Sequence, residues 1–302
     1  MPLIVLVPDE DGVTALSRVP GVKPVRYTPG SALPPEAVEA EVLVPGPVRS
    51  APELLPKLPK LKLIQLLSAG AEDWIPVVPS DVLLSTCRGA HGGATAEWVV
   101  AALLSTYREL GRFGADQAAR VWNRHSTDTL QEKRVLIVGA GDLGRQLRRR
   151  LEPFDTHVTM VGLTAREGVS GVDELPELLP RHDVVVLMVP LTSRTRGMVD
   201  AAFLASMRDG AVLVNVARGA VADTDALVAE LATGRLRAAL DVVDPEPLPP
   251  DHPLWTIPGV LLTPHVAGSA RGSRARSYAV AATEIGRYAS GELPDNLVHG
   301  EY

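Results

Sequence analysis

The chain has 302 residues, long enough for two ordinary domains that each bury a core without help from disulfides or metals. Its formal net charge of −6, with 30 lysines and arginines dispersed along it, offers no basic field for nucleic acid. Cys87 is the single cysteine, which excludes an intrachain disulfide and a multi-cysteine metal site and suits a reducing, cytoplasmic setting.

The first residues, 1–7, are apolar but carry no basic leader and stop at Pro8, so they read as a strand and not as a signal segment. Short apolar runs follow at 42–44, 61–67 and 82–86, separated by proline-rich connections and a helix-like piece at 52–58, the rhythm of an α/β layer. From Thr95 a helical pattern places Trp98, Val99, Ala102 and Leu103 on one face and runs toward the break at Gly111 and Gly114. No apolar run reaches the ~18 residues of a membrane span. A dense series of strands follows, at 134–138, 157–161, 184–189, 211–216, 238–243 and 260–263. Runs so uniformly apolar fit parallel strands buried on both faces. Residues 270–290 return to a helical stripe carrying Tyr278, Ala281, Ala282, Ile285 and Tyr288. That tail lacks strands of its own and is expected to complete the N-terminal domain. The expected division is therefore a substrate-binding domain at 1–93 and 270–302, and a dinucleotide-binding domain at 94–269.

Gly139-Ala140-Gly141-Asp142-Leu143-Gly144 is a GxGxxG motif, a weak signal alone. Here it directly follows the strand at 135–138 and opens a helix through Leu147 and Leu151, with a second strand beyond, so a whole βαβ unit is present. In that setting Gly139 makes the tight turn, Gly141 lets backbone reach a pyrophosphate, Gly144 packs helix on strand, and the helix N-terminus faces the anion. NAD sites usually place an acid about 20 residues further on. Here the stretch reads Val161-Gly162-Leu163-Thr164-Ala165-Arg166, offering a hydroxyl and a cation instead. Thr164 and Arg166 would welcome a 2′-phosphate, which favours NADP over NAD; the alternative is that Arg166 is a solvated loop residue.

Three polar residues stand at the ends of late strands, the edge where open parallel sheets bind ligands. Arg218 offers a fixed fork of donors for a carboxylate and its neighbouring carbonyl. His265, followed by the small residues Ala267 and Gly268, can lend and recover a proton near neutral pH. Glu246 lies in a proline-flanked turn from which it could fix the histidine tautomer. Each taken singly could equally be a surface ion pair, a solvated acid or a packing histidine.

Five ordered motifs give the whole chain a resemblance to the D-2-hydroxyacid dehydrogenase family. They are the glycine motif, Val189-Pro190-Leu191-Thr192 with Thr195, Asn215-Val216-Ala217-Arg218-Gly219, Ala239-Leu240-Asp241-Val242 with Glu246-Pro247, and Thr263-Pro264-His265-Val266-Ala267-Gly268. The resemblance implies a Rossmann-type doubly wound parallel sheet for the dinucleotide and a smaller flavodoxin-like α/β substrate lobe. It implies that Arg218 binds the substrate carboxylate and carbonyl, that His265 is the acid/base, and that Glu246 is its partner. Asp241 would contact the nicotinamide carboxamide. The cofactor would also meet Asp142, Leu143, Val189, Pro190, Thr195, Ala217, His265 and Gly268. The Ser68-Ala69-Gly70 stretch matches a loop whose amides hold the substrate carboxylate. The missing acid resembles NADP-preferring glyoxylate and hydroxypyruvate reductases.

The expected activity is thus hydride transfer between NAD(P)H and a small 2-oxo or 2-hydroxy acid, by a metal-free homodimer to which the apolar residues Trp98, Val99 and Val100 could contribute, the alternative being that the same stripe is simply core. Nucleic acid and membranes are not expected partners. Two rivals share the scaffold: a phosphite-type dehydrogenase, and a non-catalytic NAD(P)-sensing corepressor. Formate enzymes of the family pair the histidine with glutamine, so Glu246 argues against formate.

Overall fold

The computed structural model describes residues 2–46 and 51–300, so Met1 of the expected leading strand lies outside the described residues. The chain divides into two compact units, one of Met1–His91 with Arg271–Tyr302 and one of Gly92–Ala270.

The first unit is a parallel five-stranded sheet of β1 (Leu3–Val7), β2 (Val22–Arg26), β3 (Val42–Leu43), β4 (Leu63–Gln65) and β5 (Leu83–Ser85), in the order β2-β1-β3-β4-β5. This is the flavodoxin-like order. Alternation along the strands feeds two cores: Leu6, Leu43 and Ile64 face one side, and Val5, Val7, Val42 and Leu63 face the other. The helix Ser273–Ala289 covers the second side with Tyr278 and Ile285. The Asp9 side chain joins this helix to α1 (Glu10–Leu16), accepting from the Gly12 amide at 2.9 Å and the Tyr278 hydroxyl at 2.7 Å while pairing with Arg274. β2 has no counterpart among the expected strands and carries Pro24 in its middle. It occupies the sheet edge, where the missing amide costs no ladder bond.

The second unit begins with α3 (Gly92–Tyr107) and α4 (Leu110–Ala119). One helix was expected to run to the glycines at 111 and 114, but α3 stops at Tyr107, Glu109 turns the chain with a left-handed φ of 49°, and both glycines lie inside α4. Tyr107 is buried beneath the cations of Lys133 and Arg237, 5.2 and 4.9 Å from its ring centre. That burial fixes the end of α3 before the glycines are reached. Val99 is fully buried, and Trp98 and Val100, each partly buried, pack on the same core, so the stripe serves the core of its own unit, the alternative reading of it.

The sheet of this unit has seven parallel strands: β6 (Arg134–Val138), β7 (His157–Gly162), β8 (Ser170–Gly171), β9 (Val184–Leu187), β10 (Val212–Asn215), β11 (Arg237–Leu240) and β12 (Val260–Leu262). Their order, β12-β11-β10-β9-β6-β7-β8, is the Rossmann order with its reversal between β6 and β9. α3 and α5 (Asp142–Leu151) cover one face, over Val135, Ile137, Val184, Val186 and Val212. On the other face α7 (Ala201–Ser206) and α8 (Thr224–Ala232) cover Leu136, Val185, Leu187 and Leu213. Double coverage explains the unbroken apolar strands.

The register decides where chemistry can sit. Val161, Val138, Leu187, Asn215, Leu240 and Leu262 form one continuous row across six strands. The residues that follow this row are Gly162, Gly139, Met188, Val216, Asp241 and Thr263. Every motif read from the sequence of this unit therefore leaves the same edge of the sheet.

His182, only 5% exposed, supports the helical segment before β9: Nδ1 donates to the Leu178 carbonyl at 2.7 Å, and Nε2 lies 3.0 Å from the Thr159 hydroxyl. A carbonyl can only accept, so the proton sits on Nδ1 and the neutral ring suits both partners. Burial lowers its pKa below the ordinary value near 6.5. Between the lowered value and 6.5 the unfolded chain binds more protons, so stability is present above about pH 6.5 and declines as pH falls below it. The thermal midpoint should drop between pH 7.5 and 5.5 by more in the wild type than in His182→Asn, and equal drops would refute this account.

Candidate active site

The glycine loop is shaped by close approach of backbone to backbone. Gly139 has φ of 125°, and a Cβ there would stand 2.3 Å from the Met188 carbonyl oxygen; one on Gly144 would stand 2.1 Å from the oxygen of Gly139. No side chain is tolerated at either place. Gly141 is the N-cap of α5, no side chain caps the helix, and the space beside Gly141 is open. The first amides of α5 thus point into room that a pyrophosphate can fill. Asp142 turns away from this room: a Cβ on Gly92 would meet its Oδ2 at 2.3 Å, and that oxygen is buried without a hydrogen-bond partner. Leu143 packs on the core beside α3. Thr164 and Arg166 are exposed in the loop after β7, where Arg166 reaches back to donate to the Ala140 carbonyl at 3.3 Å.

After β9, Val189 is half-buried and Pro190 exposed. Thr195 holds this loop together, its hydroxyl donating to the Pro190 carbonyl at 2.6 Å and accepting from the Thr192 amide at 2.8 Å.

Beyond β10, the buried Asn215 side chain builds the turn that presents Arg218. Its Oδ1 accepts from the Ala217 amide at 3.0 Å and its Nδ2 donates to the Arg218 carbonyl at 3.0 Å. Arg218 is half-buried and donates from one terminal nitrogen to the Ala217 carbonyl at 2.7 Å. Gly219 lies against the backbone of Val243, whose oxygen a Cβ would meet at 1.9 Å, so the Arg218 turn and the loop after β11 are packed without any side chain between them.

His265 and Glu246 are brought together. Glu246 Oε1 accepts from the Val243 amide at 3.1 Å, and Oε2 lies 3.0 Å from His265 Nδ1. A carboxylate in that position accepts a hydrogen bond from Nδ1–H and leaves Nε2 as the nitrogen that can exchange a proton with a substrate. His265 has a left-handed φ of 55°, a conformation that costs a residue with a Cβ roughly 1–2 kcal/mol. Its amide is held in return by the Asp241 carbonyl at 2.8 Å and the Thr263 carbonyl at 3.1 Å.

Asp241 anchors this turn. It is 3% exposed; Oδ1 accepts from Thr263 Oγ1 at 2.5 Å and from the Val266 amide at 2.8 Å, and Oδ2 accepts from the Ala267 amide at 2.9 Å. The nicotinamide contact expected of Asp241 is left with what capacity remains on Oδ2. Gly268 follows the anchored amides, half-buried.

In the first unit, the Ser68-Ala69-Gly70 loop follows β4. Ser68 closes it by donating from Oγ to the Gly70 carbonyl at 2.7 Å, while the amides of Ala69 and Gly70 find no protein acceptor among the described residues. Two adjacent amides without a protein acceptor are donors available to an anion. His91 Nε2, 3.0 Å from the Leu67 carbonyl and 3.3 Å from Ser277 Oγ, supports the base of this loop. Among the described residues there is no cluster of three or more His, Cys, Asp or Glu side chains that could hold a metal ion, and no helix long and apolar enough to cross a membrane.

Residues 100–267 match the model of the D-isomer specific 2-hydroxyacid dehydrogenase NAD-binding domain, more than half of the chain. The chain belongs to the D-isomer specific 2-hydroxyacid dehydrogenase family. A glyoxylate reductase from Thermofilum pendens is 33% identical over 82% of this chain and 78% of its own length. Formate dehydrogenase 2, mitochondrial, of Oryza sativa subsp. japonica is 31% identical over 84% of this chain and 72% of its own. Among solved structures, the NADPH-dependent glyoxylate/hydroxypyruvate reductase from Sinorhizobium meliloti in complex with NADP and sulfate superposes with a TM-score of 0.85 at 28% identity, covering 100% of this chain and 99% of that one.

As a member of this family the protein is an NAD(P)-dependent oxidoreductase acting on 2-hydroxy acids, and the glycine loop has the open cradle that a dinucleotide needs. Asn215, Thr263 and Gly219 had no assigned roles in the sequence reading, although each lies in or beside a motif. Only the hydrogen bonds of Asn215 and Thr263 and the backbone packing at Gly219 show that they shape the turns.

Removing the Asp241 carboxylate strands the buried Ala267 amide, worth about 1–3 kcal/mol when left unpaired, and frees the part-buried Val266 amide and Thr263 hydroxyl. Asp241→Ala should therefore lower the thermal midpoint substantially and reduce turnover, with Asp241→Asn intermediate because its amide oxygen still accepts. Wild-type stability in both variants would show that the carboxylate does not anchor the turn.

Proposed function

We propose that the protein reduces a small 2-oxo acid, of the glyoxylate or hydroxypyruvate kind, to the corresponding 2-hydroxy acid with NADPH in preference to NADH. The observation that carries this reading is the Glu246–His265 pair, which leaves His265 Nε2 as the exchanging nitrogen at the same sheet edge as Arg218 and the glycine loop. Arg218 binds the substrate carboxylate and orients the carbonyl. The bound nicotinamide supplies the hydride. His265 Nε2 gives the carbonyl oxygen its proton as charge develops there, and Glu246 offsets the charge of the protonated ring. The remaining capacity of Asp241 Oδ2, with backbone from Val189, Pro190, Ala217 and Gly268, holds the carboxamide side of the cofactor, and the Gly139–Gly144 loop holds its pyrophosphate. Glu246 stands where the formate enzymes carry glutamine, which favours an oxo acid over formate. The preference for NADPH rests on Arg166 and Thr164, and on the absence of an acid between Val161 and Arg166.

Following NADPH and NADH absorbance with glyoxylate, hydroxypyruvate and pyruvate tests the reading. NADPH should be consumed faster, and His265→Ala and Arg218→Ala should each lower kcat/KM by about two or more orders of magnitude. Consumption of phosphite with reduction of the oxidised cofactor, or cofactor binding with no turnover of any acid, would replace it with the phosphite or sensor reading.

We also propose a homodimer. α4 buries none of its residues, and its Phe113 lines one surface hollow with Val121 and the 96% exposed Trp122, which follow the helix. Large apolar side chains clustered on a surface mark a contact site, and a second copy of the chain is the occupant this reading assigns. At micromolar concentration the wild type should elute as a dimer and Trp122→Ser should shift toward the monomer; a monomeric wild type would refute it.

A further inference from the structure

We infer that Arg145, on the first turns of α5, is the second cation of the ribose 2′-phosphate subsite, acting with Arg166; the inference rests on the NADPH reading above. The two arginines come from different elements and converge on one atom. Arg145 donates to the Ala140 carbonyl at 3.4 Å and Arg166 donates to the same oxygen at 3.3 Å. Neither forms an ion pair with a carboxylate among the described residues, in a chain whose other exposed arginines repeatedly do.

Three features make this convergence more than two solvated side chains. Arg166 is held in position: its backbone and that of Val169 bond each other in both directions at 2.9 Å, closing a tight turn beyond β7. Its guanidinium then lies over the end of that strand, where a Cβ added to Gly162 would meet one terminal nitrogen at 2.8 Å. This is where an NAD site places its carboxylate, and a side chain of that kind would have to displace the guanidinium. Arg145 is the more telling residue, because a cation near a helix N-terminus opposes the helix dipole. α5 carries Asp142 at its start and Arg148, Arg149 and Arg150 in its last turn, where the dipole favours them, so Arg145 alone stands against the pattern.

Two like charges drawn to one neutral carbonyl repel each other, and an anion between them reverses the sign of that interaction. A phosphomonoester carries about −1.5 to −2 charge near neutral pH and offers three acceptor oxygens, enough for both guanidiniums. The 2′-phosphate of NADPH is the phosphomonoester that a dinucleotide in the glycine loop would bring to the end of β7. A pyrophosphate contact is the competing role for Arg145, and it predicts a different outcome.

Isothermal titration of NADPH, NADH, 2′,5′-ADP and 5′-AMP into the wild type, Arg145→Gln and Arg166→Gln separates these possibilities without reference to turnover. The expected result is that Arg145→Gln weakens NADPH and 2′,5′-ADP about 10-fold or more, the loss of a charge-assisted hydrogen bond. NADH and 5′-AMP should stay within about twofold of wild type, which also reports that the variant is folded. Equal weakening of NADPH and NADH would assign Arg145 to the pyrophosphate and overturn the inference, as would unchanged binding of both. A wild type that binds NADH as tightly as NADPH would sink the NADPH reading itself, whereas a wild type whose preference survives in Arg145→Gln but not in Arg166→Gln would sink only the role of Arg145.

Discussion

The buried carboxylate of Asp241 is the constraint on which the site depends. It carries no cation partner among the described residues and is satisfied by one hydroxyl and two amides, all from the segment that bears His265. The surrounding bonds make a closed circuit. The Asp241 amide donates to the Asn215 carbonyl, its own carbonyl receives the His265 amide, His265 meets Glu246, Glu246 is held by Val243, and Val243 lies against Gly219 beside Arg218. Three neighbouring strand ends are locked to one another by backbone, and the guanidinium, the carboxylate and the imidazole ride on that frame. A left-handed histidine, unfavourable by itself, is tolerated because its amide and the two amides after it are fixed from below.

Much of this was legible in the sequence because parallel strands buried on both faces leave a long apolar signature. The six strands expected between 134 and 263 all exist, each within a few residues of its expected limits, and the glycine spacing located the turn after β6. The register supplied what periodicity alone lacks: alignment of Val138, Asn215, Leu240 and Leu262 in one row places motifs separated by more than a hundred residues at a common edge. The two-residue strand β8 has too few residues to show any period.

What the sequence hid or left open has identifiable causes. β2 carries Pro24, a residue that weighs against a strand unless the strand lies at an edge, and edges are a property of the assembled sheet. The two glycines in α4 drew a helix end away from Tyr107, where burial under two cations sets it. The stripe of Trp98, Val99 and Val100 looks the same in sequence whether it meets a second chain or the chain's own sheet. Asp241 was read through its resemblance to a cofactor ligand, while its hydrogen bonds give it a load within the protein as well. Arg145 escaped notice because the dipole conflict at its position becomes visible only once the limits of α5 are known.

The exposure of the dyad limits what its charges can do alone. The His265 and Glu246 side chains are 49% and 36% exposed, and an ion pair so open to water contributes little, the median for such pairs being about 0–1 kcal/mol. Its present geometry is therefore held by the tether of Glu246 Oε1 to the Val243 amide and by the fixed backbone of His265, more than by attraction between the pair. Ligands that cover the dyad displace water and lower the local dielectric, and the same 3.0 Å contact then acts with greater force on the imidazolium. In the proposed reaction, an acid/base built in this way would need no rearrangement of its own residues, only the loss of solvent that a ligand covering it would bring about.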